Sequence, residues 1–294
     1  MADSQGRDSP RRRPHLDPLG EIELPEEHLS SSASGRERFE QALSGGAADG
    51  ARPEDAAVAS ALGEAGVERM AELMYGSNAV FLLELDAPDP FDSRSPMRGV
   101  YKPVRGERPL WDFPRHTLYL REVATYLVSA ALGLDHVPPT VLRDGPLGPG
   151  SLQLYVQGAR RMPDPSTRSQ LEQQLRDIAM LDVVVNNADR KRAHLLLGHD
   201  MRMRAIDNAL TFLPYPRQRT ALISLGGESL TKRSRTALHA LASEEAALKT
   251  LSERLRRLLS RPEVDAFQHR MREFDADPTY PVLDDWDGRP FEWW

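Results

Sequence analysis

Val100-Tyr101-Lys102-Pro103-Val104 sets a lysine in the middle of an apolar run of strand length. Strand alternation puts Lys102 on one face with Val100 and Val104, a face expected to be buried. Of the 38 basic residues only Lys102, Lys191, Lys232 and Lys249 are lysine, so arginine serves as the generic surface cation and Lys102 calls for a reason. Desolvating an isolated ammonium is costly, and a buried one needs a counter-charge. Downstream, Thr117 opens a helix that runs through Ala131 and stops at Gly133, with Leu120, Val123, Leu127 and Ala131 on one face. Glu122 lies on the neighbouring stripe with Tyr119, Tyr126 and Ser129, within reach of the strand. The bland alternatives are a structural salt bridge or a lysine that snorkels out along its stem.

Upstream, Val80 to Leu85 is a compact apolar strand that ends at the Pro- and Asp-rich loop 86–97, and Gly99 to Val104 is the second strand. The 54–74 stretch has helical propensity, yet Val67, Met70 and Leu73 also suit a strand leading into Tyr75-Gly76-Ser77-Asn78. Residues 1–53 are rich in Ser, Gly, Pro, Asp and Arg and read as a mostly disordered extension, with a short helix near 36–43. Beyond Gly133 the 134–151 segment is loop-like, and Leu152 to Val156 is a short strand. A helix from about 169 to 184, a polar loop at 186–193, short strands at 194–197 and 203–206 and a helical remainder to about 274 follow. The expected fold class is α+β with two lobes: a small β-rich lobe over 54–156, a mainly helical lobe over 157–275, and a cleft between them. Residues 276–294 form an aromatic, acidic tail with Trp286, Phe291, Trp293 and Trp294, a candidate surface for a protein partner.

Composition narrows the functions. With no Cys, disulfides, thiolate metal sites and a cysteine nucleophile are excluded. The net charge of -6 argues against nucleic acid as a partner. No apolar run reaches membrane-span length, and Arg11-Arg12-Arg13 is followed by Pro14-His15-Leu16-Asp17-Pro18 rather than a signal-peptide core, so a cytoplasmic location without a transmembrane segment is expected.

Two further elements carry chemistry. Asn186-Asn187-Ala188-Asp189-Arg190-Lys191-Arg192-Ala193-His194 is a polar loop between Leu181-Asp182-Val183-Val184-Val185 and Leu195-Leu196-Leu197. Phosphoryl transfer depends on positioning and on charge placed near the moving group, with one carboxylate to orient the acceptor hydroxyl, and Asp189 fits that role. Alternatively Asp189 is a turn residue. Asp207, at the end of Arg204-Ala205-Ile206, is either a hard oxygen ligand for Mg²⁺ or a strand-ending turn residue. The order of strand lysine, helix glutamate, loop aspartate and strand-end aspartate is that of a kinase-type site.

The stretches 101–114, Arg121-Glu122-Val123-Ala124, Val137-Pro138-Pro139-Thr140-Val141 and Asn186 to Lys191 resemble a bacterial family of phosphatidylinositol 3-/4-kinase-like proteins, over roughly residues 62–232. The resemblance implies a protein-kinase-like fold with ATP and Mg²⁺ or Mn²⁺ bound in the cleft. It implies Lys102 as the phosphate contact with Glu122 as its partner, Ser77 and Asn78 in a turn closing over the phosphates, and Leu154 and Val156 in the adenine-side hinge. It further implies Asp189-Arg190 as the start of the catalytic loop and Asp207 as metal ligand, and it favours a strand over 67–74. His194 stands where lipid kinases place Asn, so it is either a second metal ligand or a phosphate contact. Asn208-Ala209 departs from the usual aromatic-or-His then Gly. The expected activity is phosphotransfer to a protein hydroxyl, small metabolite or lipid-like acceptor; a nucleotide-binding pseudokinase scaffold and a nucleotidyltransferase stand as alternatives.

Overall fold

A computed structural model describes residues 17–18, 33–43, 53–73, 78–156 and 168–291. The first half builds a six-stranded antiparallel sheet. Its strands are β1 (Asp17–Pro18), β2 (Val67–Glu72), β3 (Phe81–Pro88), β4 (Pro96–Pro103), β5 (Thr140–Gly145) and β6 (Gly148–Leu154), in the order β1-β2-β3-β4-β6-β5. Two helices precede most of the sheet, α1 (Ala33–Leu43) and α2 (Ala56–Glu64), and α3 (Leu118–Ala131) follows β4. The second half holds α4 (Arg168–Val185), the small hairpin β7 (Leu195–Leu197) and β8 (Met203–Ala205), and the helices α5 (Lys232–Ser243), α6 (Glu245–Leu258) and α7 (Arg261–Ala276). The fold is α+β and two-lobed, with elements in the order expected of a protein-kinase-like chain. Among the described residues no helix is long and apolar enough to cross a membrane.

Each face of the sheet has its own cover. Met97, Tyr101, Leu152, Leu154 and Val141 pack with Ala59 and Leu62 of α2 in one apolar cluster. The opposite face meets α3, whose Leu120, Val123 and Leu127 join a second cluster with α4, α6 and α7. Burying one such side chain stabilises by about 1.5–3 kcal/mol, so α3 is anchored to both lobes, since Val104, Val137 and Leu142 of the β-rich half belong to the same cluster. α3 is buried on all sides from Leu118 to Ser129, not on a single stripe, while Ala131, expected on the apolar face, is exposed. Gly133 ends the helix with φ +66°, a conformation glycine adopts without steric cost.

One buried ion pair joins the lobes. Arg121 of α3 is wholly buried and pairs with Glu263 of α7; it also donates to the Thr211 carbonyl and to Thr117 Oγ1 at 3.3 Å, and lies over the Phe113 ring at 5.1 Å. Glu263 additionally accepts from Ser260 N at 2.8 Å and Ser260 Oγ at 2.7 Å, capping α7.

Several sequence expectations change. Both readings of 54–74 hold in part, since helix α2 is followed by strand β2. The 134–151 segment contains strand β5 and most of β6; its Pro and Gly residues read as loop, but Val141 and Leu142 are buried on opposite faces and the Gly145-Pro146-Leu147-Gly148 turn closes a hairpin. The chain between Ala205 and Lys232 forms no α-helix, so the helical remainder begins later than expected. Within the N-terminal extension, α1 buries Phe39 and Ala42 in the main core. In the tail Tyr280 is buried, Gly288 O accepts from Thr220 N at 2.9 Å and Phe291 lies over Arg219 at 5.3 Å, whereas Trp286 is 86% exposed. Trp293 and Trp294 lie outside the described residues.

Candidate functional site

A cavity of about 200 Å³ opens between the lobes, and Asn78, Lys102, Glu107, Asp189, Lys191 and Asp207 are among its lining residues. Lys102 enters from β4. The predicted alternation holds, but the face it shares with Val100 is only half-buried; the deeply buried face is the other one, with Met97 and Tyr101, because α2 covers that side and the cleft adjoins this one. Lys102 Nζ binds Glu122 Oε1, and Asp207 Oδ1 at 2.7 Å. Burial alone would lower the ammonium pKa, yet the charges of Asp207 and Glu122 outweigh it and hold the group above the ordinary lysine range. Lys102 is therefore a permanent cation.

Asp207 owes its place to a backbone reversal. Its φ of 56° is left-handed, a conformation that costs a non-glycine residue roughly 1–2 kcal/mol but that Asp tolerates better than most. The reversal turns the carboxylate toward the cleft, 49% exposed, while the next residue, Asn208, is sealed inside. Asn208 N donates to Glu122 Oε2 at 2.9 Å, its Nδ2 to Ala205 O at 3.1 Å, and its Oδ1 accepts from Arg190 Nη2 at 2.6 Å. The Asn208-Ala209 departure from the lipid-kinase pattern is thus a firm anchor. Lys102, chiefly, holds the Asp207 carboxyl below the usual carboxylate range, against a burial effect that would raise it.

His194 faces the same carboxylate. Its Nε2 lies 3.2 Å from Asp207 Oδ2, and its Nδ1 accepts from Lys191 N at 3.4 Å. Both contacts are met by a neutral ring that carries its proton on Nε2 and donates it to Asp207. Among the described residues no group of three or more His, Asp and Glu side chains converges to hold a metal ion. Burial pushes the His194 pKa down to about 4, with Asp207 opposing and Arg190, Lys191 and Lys102 adding to the fall. A folded-state pKa below the unfolded value of about 6.5 means that the unfolded chain binds the extra proton first, so this group's contribution to stability is intact above pH ~6.5 and is lost as pH falls toward 4. An NMR titration is expected to place the His194 midpoint near 4. A midpoint between 6 and 7 would remove the buried, neutral imidazole from the site.

Asp189 sits on the loop after α4. Asn187 Oδ1 accepts from Asp189 N at 2.9 Å, and Asn187 Nδ2 donates to Asp182 Oδ1 at 3.0 Å, so the loop is braced from α4. Burial raises the Asp189 pKa, opposed by Lys191, whose Nζ lies 2.8 Å from Asp189 Oδ2. Arg190, expected beside Asp189 in a catalytic role, turns the other way. It is wholly buried, paired through Nε and Nη2 with Asp182, and donates to Ile206 O at 2.8 Å, so it ties the Asp189 loop to the Asp207 turn from behind.

The hinge and turn residues divide. Leu154 faces the α2-side core, because β6 pairs Gln153 with Val100 and Ser151 with Lys102 on the cleft face and sends Leu152 and Leu154 to the other. Val156 lines a separate cavity of about 480 Å³ with Arg98 and Tyr155. Asn78 accepts from Arg108 N at 2.9 Å, and its neighbour Ala79 lies so close to Gly106 that a Cβ there would stand 2.5 Å from the alanine's. Asn78 therefore pins its segment to the 104–108 loop. Ser77 lies outside the described residues.

No family model matches the chain. The Mycobacterium tuberculosis protein Rv2133c is 34% identical to it over 247 residues, covering 72% of this chain and 86% of that protein. The chain belongs to the Rv2133c family. The crystal structure of a Helicobacter pylori proinflammatory kinase, CtkA, is 11% identical and covers 75% of this chain and 91% of that one, at a TM-score of 0.38.

Four residues of this Rv2133c-family chain support the site without having been given a role in it from sequence. Lys191 was visible in the loop but unassigned, and it faces Asp189 across the cavity. Asp182, in an apolar helix end, holds Arg190. Asn208 gathers Glu122, Arg190 and Ala205. Glu107 accepts from Leu118 N at 3.0 Å and from His116 N, satisfying the free N–H groups at the start of α3. The signal for Asp182 was a lone charge among Leu181 and Val183-Val184-Val185.

Proposed function

We propose that the chain is an ATP-dependent phosphotransferase that moves the terminal phosphoryl group to a hydroxyl acceptor on a protein or small metabolite, and that the phosphatidylinositol 3-/4-kinase-like resemblance reflects this chemistry. The observation that carries the reading is Lys102, shared between Glu122 and Asp207 at a cavity that Asp189 and Lys191 also line. A permanent cation with carboxylates on either side suits a phosphate site: the phosphates take over the lysine and the carboxylates are released to other tasks.

The donor set fits Mg²⁺ or Mn²⁺ modestly. Asp207 offers a half-exposed carboxylate and would hold the ion, with phosphate and water oxygens supplying the remaining ligands. Such an ion supplies charge neutralisation on the phosphate oxygens. Lys102 and Lys191 bind phosphate oxygens; Asp189, relieved of Lys191 and with its affinity for protons raised, accepts the acceptor hydroxyl proton. Glu122 keeps Lys102 aligned, and His194 keeps Asp207 aligned. A lipid acceptor gains no support from the 208–230 segment, whose cations Arg217 and Arg219 are stacked on Trp111 at 5.6 Å and on Phe291 at 5.3 Å.

Calorimetry is expected to show ATP binding that needs Mg²⁺ or Mn²⁺, and mass analysis of the products to show added phosphate rather than adenylate. Asp189→Asn should keep nucleotide binding and lose turnover by roughly 10²–10⁴. Absence of any heat or thermal shift with ATP and either ion would sink the proposal. The order of metal preference should be the same in the wild type and in His194→Asn, and the pH dependence of ATP affinity between about pH 5.5 and 8 should be the same in both, because His194 does not titrate there. A switch of preference toward Mg²⁺ in that variant would restore His194 as a metal ligand.

A further inference from the structure

Behind the Asp189 loop lies a third cavity, of about 650 Å³, that the phosphotransfer reading does not use. Buried Val183, Asn186 and Phe274 contribute to its lining; residues 216–219, α7 and the 277–288 segment supply the rest. Arg270 of α7 also lines it. Its Nε donates to Val184 O at 3.3 Å, in the last turn of α4 where a helix end favours a cation, and its Nη1 donates to Leu213 O at 3.2 Å. The remaining nitrogen, Nη2, is buried without a hydrogen-bond partner, and among the described residues no carboxylate pairs with this guanidinium. Burial without a counter-charge lowers its pKa to about 10. A cation so placed is stabilised by any anion that reaches it.

The acids of the lining stand at the mouth. Glu273 is exposed and pairs with His269 at 3.1 Å, Asp284 Oδ1 is occupied by the N–H groups of Trp286 and Asp287, and Asp277 and Asp287 are exposed. Arg217 and Arg219 also line the cavity, with their guanidiniums against Trp111 and Phe291, so Arg270 is the lining cation set between apolar sides and behind exposed acids. The cavity is also bonded to the loop that carries Asp189. Arg217 N donates to Asn186 Oδ1 at 3.0 Å, Arg219 N to Asn187 O at 2.9 Å, and Arg190 N to Arg219 O at 3.0 Å.

We propose that this cavity binds a small carboxylate with an apolar body, its carboxylate on Arg270 and its outer end at the acidic rim, where a cationic group strengthens binding. Bound there, the ligand braces the 216–219 segment and through it the loop of Asp189.

The test titrates the full chain with benzoate, para-aminomethylbenzoate and inorganic phosphate, followed by NMR, with Arg270→Gln and Arg270→Lys alongside. Saturable binding is expected for both aromatic acids, tighter for the aminomethyl compound. Arg270→Gln, which keeps a donor for one carbonyl, should weaken both by about tenfold or more, equivalent to ~1.4 kcal/mol, and Arg270→Lys by less. Where the Gln variant does not fold, the wild-type shifts decide, and they are expected at Asn186, Arg217 and Phe274. No saturable binding, equal affinity in a folded Gln variant, phosphate binding tighter than benzoate, or shifts confined elsewhere would each overturn the proposal. No nucleotide is present in these titrations, so their failure leaves the phosphotransfer reading standing, and failure of ATP to bind leaves this site standing.

Discussion

Lys102→Met is expected to lower phosphotransfer by about 100-fold or more, the range seen when a preorganised charge facing a developing anion is removed. The substitution keeps most of the side-chain length and packing while deleting the one cation between Glu122 and Asp207. Two carboxylates then face each other without a counter-charge, and phosphate oxygens arriving in the cavity meet net negative charge. ATP affinity should fall with activity. Lys232→Met is the control, since Lys232 is exposed at the first residue of α5 and lines none of the cavities described above. Turnover and calorimetric affinity, with unfolding curves to verify the fold, give the comparison. Equal behaviour of the two variants would reduce Lys102 to an ordinary surface cation.

Breaking the Arg121–Glu263 pair should have the largest effect on stability. Arg121→Met strands a buried carboxylate, and Glu263→Gln strands a buried guanidinium while keeping an acceptor for the Ser260 cap. Removing one partner of a buried pair costs about 3–5 kcal/mol, because the survivor stays desolvated and uncompensated. For a chain of this size that is a fall in Tm of roughly 6–20 °C. Arg121→Met combined with Glu263→Met should recover a large part of the loss, as apolar replacement of both charges removes the desolvation cost. Glu122 is the next residue on α3, so each single variant should also weaken ATP binding more than its folded fraction explains. Single losses below about 1 kcal/mol in chemical unfolding would show that the Arg121–Glu263 pair does not hold the lobes together.

The lysine strand, the glutamate helix and the order of Asp189 and Asp207 were readable because each depends on local pattern. Alternation in β4, the Thr117 start and Gly133 stop of α3, and a polar loop between apolar segments are decided by near neighbours in the chain. The direct encounter of Lys102 with both Glu122 and Asp207 was half visible: the helix partner lies 20 positions on, whereas Asp207 lies 105 positions on, beyond the reach of local pattern.

Other features belong to the tertiary structure. Arg190 and Lys191 are adjacent cations of like appearance in sequence, yet Arg190 is drawn inward by Asp182 of α4 and Lys191 points to the cavity. Leu154 was assigned to the hinge because its strand was recognised, but the face it presents is set by register with β4, where Gln153 opposes Val100. His194, read from sequence as a metal ligand or a phosphate contact, meets Asp207 through Nε2 while Lys191 N faces its other nitrogen, a pairing that only the tertiary structure sets. Residue type and local spacing determined which polar groups stood out as candidates for chemistry in this protein. Which of them face the cleft, and in what protonation state, was decided by long-range packing, since burial and the nearest opposite charge are properties of the folded neighbourhood.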